Sequence, residues 1–454
     1  MKHTREQKCA ALLAQAQALI EEFLDWEEQA ERPNLTQIED VALALRARFG
    51  QELAATAIAD QDAKQPAAAA ACPTCAAALR YKGQKALDAE SRLGRLEFTR
   101  GYYYCARCHS GLFPLDHQLE LWDGCWSAAV ARLSVWLGGL VASYREAETI
   151  LRQVGGINIS RGSIWQREQL WGAQLAALAA RERQQATALP EQWAPPSRAA
   201  VTDQRMGVAL DGALVNIKAE GWKELKVGAV FEVVVEPTPD EQSGELIELA
   251  HARRNSYVAH LGGPEVLGEQ VWTEARRRGW EQAQDTLVLG DGAPWIWNQA
   301  ALHFGASHQL VDWYHAKQHL AVAGQALKSD HEVARQRWLN SRETQLYQGQ
   351  AARIADELTA AGGTQTEQAP VLLREAGYFR DNQRRMNYME MREEEWPIGS
   401  GMIESGAKQF KARFCGPGMR WSRQGAENLL PVRAAILSQR FDELWARIYN
   451  APPN

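Results

Sequence analysis

Met206-Gly-Val-Ala-Leu-Asp211 and Thr286-Leu-Val-Leu-Gly-Asp291 are two short apolar runs, and each ends in an aspartate. Continuous apolar runs of this length predict strands that are buried on both faces of a sheet. Glycine follows each aspartate, so another chain can approach the acid closely. The two runs therefore predict a sheet that holds short acidic side chains rigidly at one edge.

Further strands and helices are predicted around these two runs. Strands are predicted at Leu225–Val235, Glu245–Ala250 and His308–Asp312, and helices at Pro264–Gln284 and Ala293–Phe304. Three early strands followed by a helix, a strand, a helix and a strand is the element order of an RNase H-like α/β fold. The sequence therefore predicts such a core, with its first part in residues 205–320.

Four cysteines stand upstream of this region in two CxxC pairs, Cys72-Pro-Thr-Cys75 and Cys105-Ala-Arg-Cys108. Each pair can deliver two thiolates, and tetrahedral zinc needs four ligands at roughly 2.0–2.3 Å. The segment Arg95–Tyr104 between the pairs is aromatic and alternating, which favours a hairpin. The pattern predicts a zinc ribbon with structural zinc, because four thiolates leave no open position; a redox CxxC or coincidence is the alternative.

Helical periodicity predicts most of the remaining chain. A helix from Asn34 is predicted to end near Gly50. The helix Tyr144–Leu151, the turn Gly155–Ser160 and the helix that follows have the outline of a helix-turn-helix, although a plain three-helix packing module is the alternative. The predicted order is an N-terminal helical region, the zinc ribbon, the helix-turn-helix domain, a linker, the first part of the core, a helical insertion and the second part of the core with C-terminal helices. These segments are residues 1–65, 66–116, 117–185, 186–204, 205–320, 321–396 and 397–454.

Composition restricts the classes of protein that fit. The chain has 454 residues, 46% hydrophobic and 23% charged, as expected of a folded protein with several domains. The formal net charge of −6 argues against a protein that is basic all over, but not against local basic patches. Seven cysteines and no N-terminal signal peptide favour a reducing cytoplasm and metal binding over disulfides. The most apolar stretch, Ala128–Ala142, contains Arg132 and is too short to span a bilayer, so no membrane role is expected.

Three acids suggest a divided carboxylate site for a divalent metal. Asp211 and Asp291 end predicted strands, and Glu404 follows Ser400, a predicted helix N-cap. Two-metal phosphoryl transfer needs carboxylates that hold two cations about 3.5–4 Å apart. Each acid alone is more simply a turn aspartate or a solvated helix glutamate. The three together, in this strand and helix order, favour metal-dependent chemistry on nucleic acid.

Two groups of residues are candidates for contact with DNA. Cations after Glu404 predict contacts to phosphates: Lys408, Lys411, Arg413, Arg420 and Arg423. Trp421 among them is a candidate for stacking on an unpaired base, although a core position is favoured for it. In the helix-turn-helix segment, the residues expected to face the major groove or its phosphates are Arg161, Ser163, Gln166 and Arg167. The alternative for the cations is a solvated helix face.

Most of the chain, from the CxxC pairs to about Arg440, resembles the DDE transposases of the bacterial insertion-sequence Kra family, distant relatives of Mutator-like enzymes. The resemblance is carried by Ala209-Leu-Asp-Gly, Leu289-Gly-Asp-Gly-Ala-Pro-Trp-Ile-Trp-Asn, Val311-Asp-Trp-Tyr-His-Ala, Pro397-Ile-Gly-Ser-Gly-Met-Ile-Glu-Ser-Gly and Gly416-Pro-Gly-Met-Arg-Trp-Ser. It implies that Asp211, Asp291 and Glu404 are a catalytic triad binding Mg²⁺ or Mn²⁺. Asp312 and His315 match the family's Asp-x-x-His signature, to which we assign a supporting role; a buried pair that fixes the strand-to-helix joint is the alternative.

The resemblance implies a transposase that binds the terminal inverted repeats of an insertion sequence, cuts DNA there and joins it to target DNA. A homodimer or higher oligomer on DNA, in the bacterial cytoplasm at the nucleoid, is expected with this function. Two alternatives remain open. One is a DNA-binding regulator with a zinc ribbon and a helix-turn-helix whose acids are structural. The other, suggested by abundant tryptophan, is a carbohydrate-active hydrolase, which leaves the CxxC pairs unexplained.

Overall fold

A computed structural model of the protein describes residues 3–59, 61, 71–188, 202–240, 244–328, 331–363, 367–416 and 418–450. The chain divides into two units, residues 1–168 with 445–454 and residues 169–444. A three-stranded sheet lies in the first unit and a five-stranded sheet in the second. The protein is therefore of mixed α/β class, as predicted.

The first unit begins with two long helices, α1 (Arg5–Gln29) and α2 (Leu35–Ala59). The predicted end of the second helix near Gly50 is wrong, because the alanine-rich sequence that follows favours continued helix. An antiparallel sheet comes next, with strands β1 (Arg80–Ser91), β2 (Gly94–Cys105) and β3 (Ser110–Leu112) in that order. The predicted hairpin segment Arg95–Tyr104 is one strand, β2, and its hairpin partner is β1. Residues 62–70, which include most of the predicted start of the ribbon, lie outside the described residues.

Helices complete the first unit. They are α3 (Pro114–Gln118), α4 (Ala128–Leu140), α5 (Tyr144–Gln153) and the start of α6 (Arg161–Thr187). The side chains of Ser127 and Ser143 accept hydrogen bonds from the first turns of α4 and α5, which fixes where these helices begin. The boundary between the units falls inside α6, so the predicted domain of residues 117–185 is divided between them. Most of the predicted linker, residues 189–201, lies outside the described residues.

The five-stranded sheet of the second unit has the order β6-β5-β4-β7-β8. Its strands are β4 (Arg205–Ile217), β5 (Gly221–Pro239), β6 (Leu246–Leu261), β7 (Asp285–Gly290) and β8 (His308–Val311). The first three strands pair antiparallel, whereas β4 with β7 and β7 with β8 pair parallel. Asp211 was predicted to end its strand, but β4 continues to Ile217 because a long antiparallel ladder with β5 extends past the acid.

The helices of the second unit, after the remainder of α6, are α7 (Pro264–Arg277), α8 (Pro294–His303), α9 (Trp313–Leu327), α10 (Glu332–Tyr347), α11 (Ala351–Gly362), α12 (Ala369–Asn382), α13 (Tyr388–Glu393), α14 (Gly401–Phe414) and α15 (Arg423–Leu437). The last helix, α16 (Phe441–Tyr449), crosses the boundary between the units. Residue 321, the predicted start of the insertion, lies within α9, which continues without a break from Trp313 to Leu327. The helix predicted to reach Gln284 ends at Arg277, before a short 3-10 turn.

Helices α7 and α14 cover opposite faces of the sheet. Val258 lies beside Gly228 on the face that contacts Val271 of α7. The hydroxyl of Tyr257, the preceding residue in β6, donates to the carbonyl of Met402 in α14 at 3.2 Å. Neighbouring residues of a strand point to opposite faces, so the sheet lies between these two helices. Glu404 thus belongs to a helix that covers one face of the sheet.

Gly207 gives a test of how tightly the central strand is packed. A Cβ at Gly207 would collide with the ring of Phe231, which is fully buried. We expect Gly207→Val to lower the free energy of unfolding by about 1–3 kcal/mol, measured from the urea midpoint. The control is Gly377→Ala in α12, where an added Cβ meets no atom within 4 Å. An unchanged midpoint for Gly207→Val would contradict the packing described.

Candidate active site and zinc site

Three aspartates lie side by side where the parallel strands end. Ala209 pairs with Leu289, and Gly290 pairs with Val311. Continuing this register places Asp211, Asp291 and Asp312 at the same level on three adjacent strands. Two of these acids are in the predicted triad, and the third is the aspartate of the predicted Asp-x-x-His pair. The convergence follows from parallel pairing, because parallel strands end at the same edge.

Asp312 is completely buried and its two carboxylate oxygens hold separate parts of the chain. One oxygen accepts the backbone N–H of His315 at 2.7 Å and lies 3.2 Å from the His315 Nδ1 atom. The other accepts the backbone N–H of Ser400 at 2.5 Å. Burial acts to raise the pKa of Asp312, but the hydrogen bonds from His315 and Ser400 outweigh it and hold the pKa below its usual value.

These bonds bring Glu404 to the edge of the sheet. The backbone N–H of Trp313 also donates to the carbonyl of Ile398 at 3.0 Å, so the start of α9 is joined to the turn before α14. Ser400 occupies the N-cap position of α14, as predicted, although its side chain makes no capping bond to the helix. Carboxylate or imidazole atoms of Asp312, His315 and Glu404 all lie within 4.8 Å of one another.

The charges of two acids of the predicted triad act on the third. Burial raises the pKa of Asp211, and the charges of Asp291 and Glu404 raise it further, against the Gly212 N–H and His315, which lower it. The hydrogen bond to Asp312 raises the pKa of His315, and Asp291 and Asp211 add to this effect. Five ionisable groups from distant parts of the chain therefore share one electrostatic environment. Such an excess of carboxylates suits a bound cation.

The carboxylates differ in how many of their oxygens are already bonded. Asp211 accepts the Gly212 N–H at 2.7 Å and Asp291 accepts the Ala293 N–H at 2.8 Å, each through a single oxygen. Glu404 is about one-third exposed and lies 3.6 Å from the Lys408 ammonium. Asp312, in contrast, has both oxygens bonded to protein N–H groups. Its bonds position His315 and α14, which fits both the supporting role assigned to Asp312 and the alternative of a buried pair that fixes the strand-to-helix joint.

Tyr378 of α12 also supports Asp291, and no sequence pattern predicts this contact. The hydroxyl of Tyr378 donates to the carbonyl of Asp291 at 2.9 Å, and its ring would lie 2.7 Å from a Cβ at Gly292. Tyr378 in turn stacks on the His319 ring, with centroids 3.5 Å apart, and His319 bonds to buried Glu375 at 2.5 Å. Helix α12 therefore fixes the loop that carries Asp291. Only tertiary contacts reveal these residues, since they follow no motif.

The four predicted cysteines converge in the first unit. Their sulfur atoms all lie within 4.8 Å of one another, with 3.6 Å between Cys75 and Cys105 and 3.9 Å between Cys72 and Cys108. Sulfur atoms of a tetrahedral Zn–S₄ site are about 3.8 Å apart, given Zn–S bonds of about 2.3 Å. The backbone N–H groups of Cys75 and Thr74 lower the pKa of Cys72 to about 6, which favours a thiolate. The cluster could hold zinc, as predicted.

Two candidate DNA contacts after Glu404 are buried, which confirms the core position favoured for Trp421 and contradicts the phosphate contact predicted for Arg413. Arg413 is only 1% exposed, and Trp421 is 7% exposed with its indole N–H donating to the Phe414 carbonyl at 3.0 Å. Arg423 forms ion pairs with Glu220 and Glu427. The exposed cations of this group are Lys408, Lys411 and Arg420. Hydrophobic packing of α14 and α15, invisible in a local charge pattern, decides which side chains point inward.

In the helix-turn-helix segment, Arg161 and Gln166 are exposed at the start of α6. Ser163 is half-buried, and its backbone N–H donates to the Ser160 hydroxyl at 3.2 Å. Arg167 pairs with buried Asp123 at 3.1 Å and lies over the Trp126 ring. Arg167 is therefore used to pack α6, which leaves it poorly placed for a DNA contact.

No protein-family model matches the chain, and no curated protein matches it either. Function is therefore inferred from the chemistry of the site itself. In the part of the chain that the structure describes, no helix combines the length and the apolar character that crossing a membrane requires.

Zinc can be tested through metal content. We expect purified protein to contain about one zinc per chain, and Cys75→Ser and Cys108→Ser to lose most of it, because three ligands hold zinc far less firmly than four. Elemental analysis by mass spectrometry provides the measurement. Cys415→Ser is the matched control, since Cys415 is exposed and outside the cluster. Zinc-free wild-type protein, or full zinc content in both cluster variants, would refute the site.

The Asp312–His315 pair can be tested by titration. Because His315 has a raised pKa, its protonated form contributes stability that is present below the usual histidine pKa and is lost as pH rises through the folded value. We expect Asp312→Asn to lower the pKa of His315, measured by NMR with labelled histidine. Asp285→Asn, which removes the carboxylate 3.2 Å from His308, should leave it unchanged. A His315 pKa that is the same in both variants would contradict the assignment.

Proposed function

We propose that the protein is a DDE transposase that cuts and joins DNA with divalent metal, Mg²⁺ or Mn²⁺, at Asp211, Asp291 and Glu404. The observation that carries the proposal is geometric: the strand register brings Asp211 and Asp291 to the level of Asp312, and Glu404 lies within 4.8 Å of Asp312 and His315. A protein has little reason to gather carboxylates in a partly buried site unless a cation balances them.

The architecture of the second unit supports the proposal. Three antiparallel strands, a helix, a strand, a helix and a strand follow one another, with α14 returning against the sheet. This is the element order expected of an RNase H-like core, and the acids belong to its first strand, its fourth strand and the returning helix. Helices α10 to α13 would then be the helical insertion.

The donor set fits the metal. Carboxylate oxygens are the ligands that Mg²⁺ and Mn²⁺ prefer, and each acid of the triad keeps at least one oxygen free of backbone bonds. A divalent cation there would activate water or a 3′-hydroxyl and neutralise the leaving oxygen. His315, with its raised pKa, would add positive charge beside the scissile phosphate. Asp312 would hold that imidazole in place.

DNA is the proposed partner, both as transposon ends and as target. The exposed Lys408, Lys411 and Arg420 follow Glu404 and would supply phosphate contacts that do not depend on base sequence. The zinc ribbon and the α5–α6 segment would recognise the terminal inverted repeats, with Arg161 and Gln166 exposed for this purpose. Pairing of two ends would require at least a dimer, acting at the bacterial nucleoid in the cytoplasm.

The test is cleavage of a DNA duplex that carries the repeats flanking the gene. We expect strand products with magnesium, and Asp211→Asn, Asp291→Asn and Glu404→Gln to reduce the rate about 100-fold or more while retaining DNA binding. Asp285→Asn, at the opposite end of the β7 strand, is the matched control. Specific binding without any cleavage would favour the regulator, and full activity in a triad variant would reject the proposed site.

A further inference from the structure

A groove lies beside the candidate active site in the second unit. Its volume is about 480 Å³, and its walls come from β6, the first turn of α9, α13 and the turn before α14. We call it the Tyr314 groove. The residues that matter for its chemistry are His251, Arg253, Tyr314, Arg392 and Gly399.

The groove is joined to the acids through shared segments. Tyr314 and His315 are consecutive residues of α9, and Tyr314 lines the groove whereas His315 is in the acid cluster. The turn at residues 397–401 lines the groove and leads directly into the helix that carries Glu404. Asp312 fixes both segments through its bonds to His315 and Ser400. A chain of phosphates passing the acids can therefore continue into this groove.

The charge of the groove favours an anion. Among the described residues that line it none is acidic, whereas His251, Arg253 and Arg392 are basic. Arg253 is already bound to Glu236. Arg392 is half-buried, and no carboxylate partner for it occurs in the described ranges. A half-buried guanidinium without a carboxylate is suited to hold a phosphate through paired hydrogen bonds.

The aromatic residue of the groove favours a nucleobase. Tyr314 is 59% exposed, whereas Trp313 and His315 on either side of it are half-buried. Its ring packs closely on Gly399, since a Cβ added at Gly399 would lie 2.9 Å from a carbon of the Tyr314 ring. One side of the ring is thus supported by backbone while much of the ring stays open to solvent. Exposed aromatic rings beside cations are the elements from which proteins build sites for unpaired nucleotides.

We propose that the Tyr314 groove binds an unpaired nucleotide of the DNA strand that lies at the acid cluster, with its base on Tyr314 and its phosphate on Arg392. The choice of DNA rests on the proposed function. Tyr314 would perform the stacking for which Trp421 was a candidate and which burial of Trp421 prevents. The groove therefore selects single-stranded DNA next to the cut. The exposed lysines of α14 bind phosphates of single-stranded and of duplex DNA alike.

The experiment measures binding of the full chain to a fluorescent single-stranded oligonucleotide and to a duplex of the same length, in EDTA so that no strand is cut. We expect Tyr314→Ala to weaken single-strand binding about tenfold or more, and Tyr314→Phe to change it less than about twofold, because stacking needs only the ring. Arg392→Gln should weaken single-strand binding and reduce the slope of log binding constant against log salt concentration by about one. Duplex binding should be unchanged.

Trp222→Ala is the matched control, since Trp222 is an aromatic residue of the same unit with 64% exposure and lies outside the groove. Single-strand binding that is equal in wild type, Tyr314→Ala and Trp222→Ala would overturn the proposal, as would equal losses for single-stranded and duplex DNA. The two proposals fail separately. Cleavage without Tyr314-dependent binding would reject the proposed role of the groove but not the proposed transposase activity. Tyr314-dependent binding without cleavage would reject the transposase activity but not the role of the groove.

Discussion

The carboxylate of Asp312 is the contact on which the arrangement of the second unit depends. It is buried at the end of a short strand, and it accepts hydrogen bonds from the start of α9 and from the residue that precedes α14. These two helices are separated in the sequence by α10 to α13. One side chain thus joins the start of α9 to the segment that leads to Glu404, which lies within 4.8 Å of Asp312 and His315. A buried ionised group of this kind is tolerated because every oxygen has a donor.

The candidate site balances opposing electrostatic demands. Burial, together with the charges of Asp291 and Glu404, opposes ionisation of Asp211 in the folded chain and raises its pKa. His315 reduces this repulsion, and its own charge is maintained by Asp312. The protein therefore keeps a site that is incompletely neutralised by its own residues. Such local frustration is common where binding of a cation or a substrate supplies the missing charge.

Local patterns were sufficient for much of the fold. Apolar runs identified β4, β7 and β8, and the paired cysteines identified the cluster, because both signals depend on neighbours in the sequence. The extent of β4 past Asp211 depended on a partner strand, and the inward direction of Arg413 and Trp421 depended on packing between α14 and α15. Tyr378 and Arg392 were not predicted at all. Their surroundings are created by segments that are distant along the chain, and no spacing rule encodes such contacts.

The hydrogen bond from Tyr378 to the Asp291 carbonyl has a consequence for the engineering of this protein. Helices α10 to α13 would look dispensable if only their position in the sequence between α9 and α14 were considered. Through Tyr378, and through Asn382 bonded to Trp297, α12 instead supports the loop that follows β7. A shortened protein without these helices would need other residues to replace both contacts.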